Sequence, residues 1–206
     1  LGTAFVHYFF ESEVGKIGLE IIAAHPEVFE KSEGAIVFRG EQYGLHTRVF
    51  VNSKGLPVYE GKELGLNKMK FDLYHPDASV IITGNEIVDY FRVLMKAMEL
   101  TMPEVAEKTR HVAHGMLRLP TGKMSSRTGD VVTAESLIDQ TKQVLVEREY
   151  SERIAPEDRE ATLERIAIGA IKYSILRQSP GQDIVFDFEK SLSISGNSGP
   201  YLQYTR

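Results

Sequence analysis

Cysteine is absent from the 206 residues, which excludes disulfides and thiolate metal sites and gives no reason to place the chain in an oxidising compartment. No stretch approaches the roughly 20 uninterrupted apolar residues of a membrane helix. The N-terminus lacks the basic region and apolar run of a signal peptide, so the expected location is the cytoplasm, with no membrane partner. Positive charge is not in excess either. The net charge of -5 argues against nucleic-acid binding by bulk electrostatics, which would favour a basic face. The histidines are scattered, and His111 and His114 have no carboxylate at metal-ligand spacing, so no metal site is expected. Repeats and low-complexity tracts are also missing, which argues against solenoids and disordered tails.

What is present suits a globular α/β chain of one domain or one and a half, because 42% hydrophobic residues can bury a sizeable core. Ser12 to Ile22 has apolar side chains at helical spacing behind a capping residue, Ser12, and should end near His25-Pro26. Ala35 to Phe38 and Thr47 to Val51 read as short strands, followed by the turn Asn52-Ser53-Lys54-Gly55. Ser79 to Gly84 is a short apolar run ending in glycine, as expected of a strand buried on both faces. A helical pattern from Glu86 to Leu100 follows it. Strand, glycine, helix is the α/β unit, whose ligands sit beyond the strand's carboxyl end.

His111 to Leu119 reads as another strand, leading into a polar loop, Pro120 to Asp130. Helices are expected from Thr133 or Ala134 to Arg148 and, with proline in the first turn, from Pro156 to Arg177. Asp183 to Phe188 should be extended or irregular. Pro200 to Tyr204 resembles the first turn of another helix, and Leu1 to Phe10 begins in apolar sequence without methionine. Both ends therefore read as cut from something longer.

The most unusual local feature is Gly122-Lys123-Met124-Ser125-Ser126-Arg127-Thr128-Gly129. Two cations flank two hydroxyls between glycines, so charge, hydroxyls and backbone amides can converge on an anion such as a triphosphate. A solvated basic turn has the same composition. The spacing is not that of a Walker loop.

Lys-Met-Ser downstream of an α/β strand resembles the signature loop of class I aminoacyl-tRNA synthetases. Four further segments narrow the resemblance to the arginyl-tRNA synthetase family. They are Leu56 to Leu66, Gly115-Met116-Leu117, Ala170 to Arg177, and Gly196 to Tyr204, all in the family's order. The implied fold is the later half of a Rossmann-like catalytic domain, residues 1–132, including the loop at 122–129. Residues 133–206 would be a helical connection and the start of the anticodon-binding helical domain.

The resemblance implies that the loop stabilises charge on ATP phosphates as the arginine carboxylate attacks, a task of positioning and electrostatics. Lys123, Ser125, Ser126 and Arg127 are the residues it assigns. The family's second lysine falls on Ser126, and the nearest cation, Arg127, binds phosphate as a planar fork instead of a point charge. Tyr59 and Glu63 match the pair that holds substrate arginine; four residues apart, they share a helix face if Pro57 starts a helix. The family's usual acid there is aspartate. His114, Gly115 and Met116 match a segment whose backbone lines adenine.

The family's glutamine and histidine beyond the strand correspond to Ile87 and Tyr90, so the glutamine's role is not carried over; Glu86 and Asp89 are the acids nearest to it. The implied ligands are L-arginine, ATP with its Mg2+, and tRNA, with tRNA contacts mainly on parts this chain lacks. A monomer is expected. The first class I signature, a His followed closely by Gly-His, occurs nowhere, so the chain alone is expected to be inactive. Two alternatives stand beside this reading. One is a stand-alone synthetase-like module that binds tRNA or protein, and the other is a different nucleotidyl transferase on the same superfold.

Overall fold

A computed structural model of the chain describes residues 2–118, 133–148, 152 and 154–205. It divides into two compact units, Gly2–Ala113 and His114–Arg206. The boundary expected after residue 132 falls at the end of the undescribed stretch 119–132. The signature loop with Lys123, Ser125, Ser126 and Arg127 lies outside the described residues.

In the first unit, α1 (Glu11–Ala24) buries Val14, Gly15, Gly18, Ile21 and Ile22. Ser12 does not cap it. The helix starts at Glu11, Phe10 precedes it without a side-chain cap, and Glu11 and Glu13 meet the helix dipole in the first turn instead. β1 (Phe29–Ser32), β2 (Ala35–Phe38) and β3 (Arg48–Val51) form an antiparallel sheet in that order. β1 escapes sequence reading because Phe-Glu-Lys-Ser holds a single apolar residue. Its register is set by the turn at Glu33 and Gly34, both with left-handed φ (49° and 81°), the geometry of a two-residue hairpin. Asn52 closes the next turn, its Oδ1 accepting from the N–H groups of Lys54 and Leu56.

α2 (Tyr59–Tyr74) begins two residues later than a Pro57 start would give, because Pro57 bridges to Val51 on the sheet. Tyr59 and Glu63 nevertheless remain one turn apart. α1 and α2 cross at backbone contact. A Cβ on Gly18 would lie 1.9 Å from the Gly61 carbonyl oxygen, and one on Gly65 would lie 2.1 Å from the Val14 carbonyl oxygen. Only glycine permits that approach.

β4 (Ser79–Gly84) pairs with β5 (Thr109–His114), joined through α3 (Val88–Thr101) and α4 (Pro103–Lys108). A 3-10 turn, Asn85–Ile87, takes the place of the expected start of α3. β4 is not buried on both faces. Ile81 packs on the core, while Val80 and Ile82 are 58% and 68% exposed, so the apolar run alternates between faces. The core joins Phe29, Phe38 and Phe50, with ring centroids 5.0 to 6.3 Å apart, to Leu64, Phe91 and Met98.

In the second unit the expected strand ends at His114 and resumes as β6 (Leu117–Arg118), which pairs in parallel with β7 (Ile184–Val185). Gly115 lies at the break. A Cβ there would sit 2.0 Å from the Gln182 carbonyl oxygen. α5 (Ala134–Glu147) is capped by Thr133, whose side chain accepts from the Ser136 N–H. Pro156 belongs to a 3-10 turn, Pro156–Asp158, that leads into α6 (Arg159–Leu176). α7 (Phe188–Ser191) and α8 (Gly199–Tyr204) follow, and Ser198 caps α8 by accepting from the Tyr201 N–H at 3.2 Å. Small cores centred on Leu145, Leu163 and Leu192, and on Leu137, Ile171 and Phe186, hold these helices.

Candidate amino-acid and nucleotide site

The first turns of α2 carry the candidate amino-acid site. α2 is clamped on one side by the glycine contacts to α1 and on another by buried Leu64 and Asn67. The remaining face presents Tyr59, Glu63 and Lys70. Tyr59 keeps 36% of its surface exposed and meets the buried ring of Phe91 edge-on, 6.3 Å between centroids. Phe91 in turn stacks on His111 at 3.9 Å, and His111 Nε2 lies 2.7 Å from Thr83 Oγ1 near the end of β4. Tyr59 therefore stands by the carboxyl end of β4, where the α/β rule puts a ligand.

Electrostatics distinguishes this face from an ordinary helix surface. Burial, then the Glu63 and Glu60 carboxylates, push the Tyr59 hydroxyl up to about 12, so it is a neutral donor at any ordinary pH. Burial also pushes Glu63 above the usual carboxylate range; Lys70 opposes the shift and Glu11 adds to it. Among the described residues Glu63 has no ion-pair partner. A half-buried carboxylate that accepts from the neutral Tyr59 hydroxyl but has no cation paired to it among the described residues suits a planar cation with several N–H groups.

Beyond β4, Asp89 and Tyr90 are engaged elsewhere. Asp89 pairs with Arg92 on an exposed surface at 3.1 Å. Ile87 packs against the core. Tyr90 carries the Arg48 guanidinium 3.6 Å above its ring, and Arg48 also faces the buried carboxylate of Glu60. A groove of about 730 Å³ is lined by Phe91, Met95, Lys96 and His111 among others. Neither Tyr59 nor Glu63 lines it, so its volume says nothing about their ligand.

In the second unit the segment 114–116 is held by residues far away in sequence. Asp183 accepts from the Met116 N–H at 3.0 Å and pairs with Arg118 at 2.7 Å. The Met116 carbonyl accepts from the Ile184 N–H at 2.9 Å. His114 Nδ1 donates to the Gly115 carbonyl oxygen at 2.8 Å. The backbone groups of Met116 are thus already bonded, and its side chain, 46% exposed, is what it can offer a ligand. Sequence reading missed Asp183, since its partner Met116 lies 67 residues away. It also missed Lys70, which looks like any surface lysine. Among the described residues no cluster of His, Cys, Asp or Glu could hold a metal.

The profile of the family described as tRNA synthetases class I (R), catalytic domain, matches residues 19–188. The chain belongs to this arginyl family of class I tRNA synthetases. The arginine–tRNA ligase of Amoebophilus asiaticus is 32% identical over 212 residues, covering all of this chain and 36% of that protein. The one from Flavobacterium psychrophilum is 34% identical over 217 residues, again covering all of this chain and 35% of the relative. The chain therefore spans about a third of the length of these relatives. The solved arginyl-tRNA synthetase of Thermus thermophilus matches 94% of the chain with a TM-score of 0.74 at 21% identity, over 39% of its own length. That of Plasmodium falciparum matches 97% with a TM-score of 0.75 at 19% identity, over 34% of its length. These likenesses show the α/β fold, with helical parts, of a class I synthetase.

Proposed function

We propose that this chain is the part of an arginyl-tRNA synthetase that grips the side chain of L-arginine through Tyr59 and Glu63. The parent enzyme ligates arginine to tRNA through an arginyl-adenylate, using ATP with its accompanying Mg2+, in the cytoplasm and as a monomer. The observation that carries this reading is the half-buried Glu63 carboxylate, bonded by Tyr59 one turn away and without an ion pair among the described residues, on a helix locked by glycine contacts. Glu63 accepts the guanidinium through charge-assisted hydrogen bonds, and Tyr59 contributes its hydroxyl or ring.

Lys123, Ser125, Ser126 and Arg127 act on the ATP phosphates, and His114, Gly115 and Met116 serve the adenine. Because the Met116 N–H and carbonyl are bonded to Asp183 and Ile184, the adenine contact runs through the His114 and Met116 side chains. Residues 1–132 act as the later part of the catalytic domain, and 133–206 connect it towards the anticodon-binding helices. The sequence holds no His-x-x-Gly-His pattern to supply further phosphate cations, so the chain by itself is inactive in arginine-dependent ATP–pyrophosphate exchange. Titration calorimetry of the chain with L-arginine and with citrulline, its uncharged isostere, tests the grip. Binding of arginine alone supports it; equal binding of both, or of neither, overturns it.

A further inference from the structure

α2 carries three lysines with different surroundings. Lys62 pairs with Glu11, and Lys68 pairs with Asp72 at 2.6 Å. Lys70 has no carboxylate within ion-pair distance among the described residues. Its ammonium instead donates to Ser79 Oγ at 3.3 Å, at the start of β4. Lys70 follows Glu63 by seven residues, two helical turns along the same face. One face of one helix thus bears a half-buried carboxylate and a half-buried ammonium, each without a direct ion pair.

That spacing has a physical use. A carboxylate in a half-buried site takes up a proton unless a cation is near, and a neutral acid loses the charge-assisted bonds that a guanidinium needs. A cation in direct contact would restore the charge but occupy the ligand's place. A cation held two turns away supplies the field and leaves the place open. Ser79 provides the hold, because its hydroxyl at the start of β4 accepts from the ammonium.

We propose that Lys70 is a positioning residue which, tethered by Ser79, keeps the Glu63 carboxylate charged and open to a guanidinium in the empty site. The other groups around Glu63 are Tyr59 on α2 and Glu11 on α1. Tyr59 stays neutral and donates its hydroxyl to Glu63, and Glu11 is engaged by Lys62. Lys70 is accordingly the cation acting on Glu63, and each pulls the other towards its charged form. This inference rests on reading Glu63 as the guanidinium acceptor, but its test does not need a ligand.

The Glu63 carboxyl carbon is followed by NMR against pH in the ligand-free chain, with the signal assigned by its loss in Glu63→Gln. Lys70→Gln, which can still bond to Ser79, should shift the Glu63 titration midpoint upward, and Lys70→Arg should restore it. Lys70→Met gives the same comparison if the glutamine variant does not fold. Arginine affinity should fall in Lys70→Gln, and the deficit should grow as pH is lowered towards the Glu63 midpoint. An unchanged Glu63 midpoint in folded Lys70→Gln overturns the proposal even if arginine binds. A shifted midpoint in a chain that never binds arginine removes the arginine reading and leaves Lys70's hold on Glu63 standing.

Discussion

In Gly2–Ala113 the candidate site is made of side chains projecting from one helix, and the opposite faces of that helix are fixed by close backbone packing. In His114–Arg206 the candidate segment is made of backbone whose hydrogen bonds run to Asp183 and β7. The first arrangement tolerates exchange of side chains while the helix crossing persists; the second is lost if one distant carboxylate is removed. A charged ligand can be selected by the first through burial and field. The second can only be kept in shape.

The largest effect should come from the crossing. Gly18→Val puts a side chain where the Gly61 carbonyl already sits and should cost about 3 kcal/mol or more in denaturant unfolding, as severe overpacking does. A loss near zero would mean that α1 and α2 are not in backbone contact. Next is Asp183→Ala, which leaves the Met116 N–H without its acceptor. A hydrogen bond to a charged group suggests a loss of about 2 kcal/mol, whereas the half-exposed pair with Arg118 adds little. Asp183→Asn keeps an acceptor and should recover most of that loss; if both variants lose equally, the ion pair matters more than the backbone bond.

Smaller effects are expected from pH, and their signs divide the first unit's groups. Glu63 and Glu60 have folded values above the ordinary range, so the unfolded chain releases these protons first. Their contribution therefore falls as pH rises through the ordinary carboxylate range towards the raised values. His111 is lowered by burial, so the unfolded chain takes up its proton first and stability falls as pH drops through 6.5. Tyr59, raised from 10.0 to about 12, adds a decline across that alkaline interval. Thermal melts of Glu63→Gln against pH should keep only the Glu60 part of the first slope, keep the His111 slope, and show a smaller alkaline decline from Tyr59, whose shift Glu63 helps to cause. A wild-type slope in that variant would show that Glu63 is not buried.

Particular residues show what a sequence makes legible. Tyr59 and Glu63 were singled out by the resemblance, and helical spacing put them on one face, even though the helix starts after Pro57 and not at it. The strand before the glycine and the turn at Asn52 follow from local chemistry. β1 was not readable, because its strand character comes from the Glu33-Gly34 turn and pairing with β2 and not from its own residues. β4 misled because an apolar run does not reveal how many faces are covered. Asp183 and Lys70 act through tertiary neighbours, Met116 and Ser79, that no local pattern links to them.

The central claim is that Glu63 is a charged acceptor for a guanidinium. Calorimetric titration of L-arginine into the wild-type chain and its Glu63→Gln variant at neutral pH tests it most directly. Losing the charge-assisted bonds should weaken binding by about 100-fold, while the variant unfolds at the same or a higher temperature because a buried charge is gone. Equal affinity in the two proteins would contradict the account.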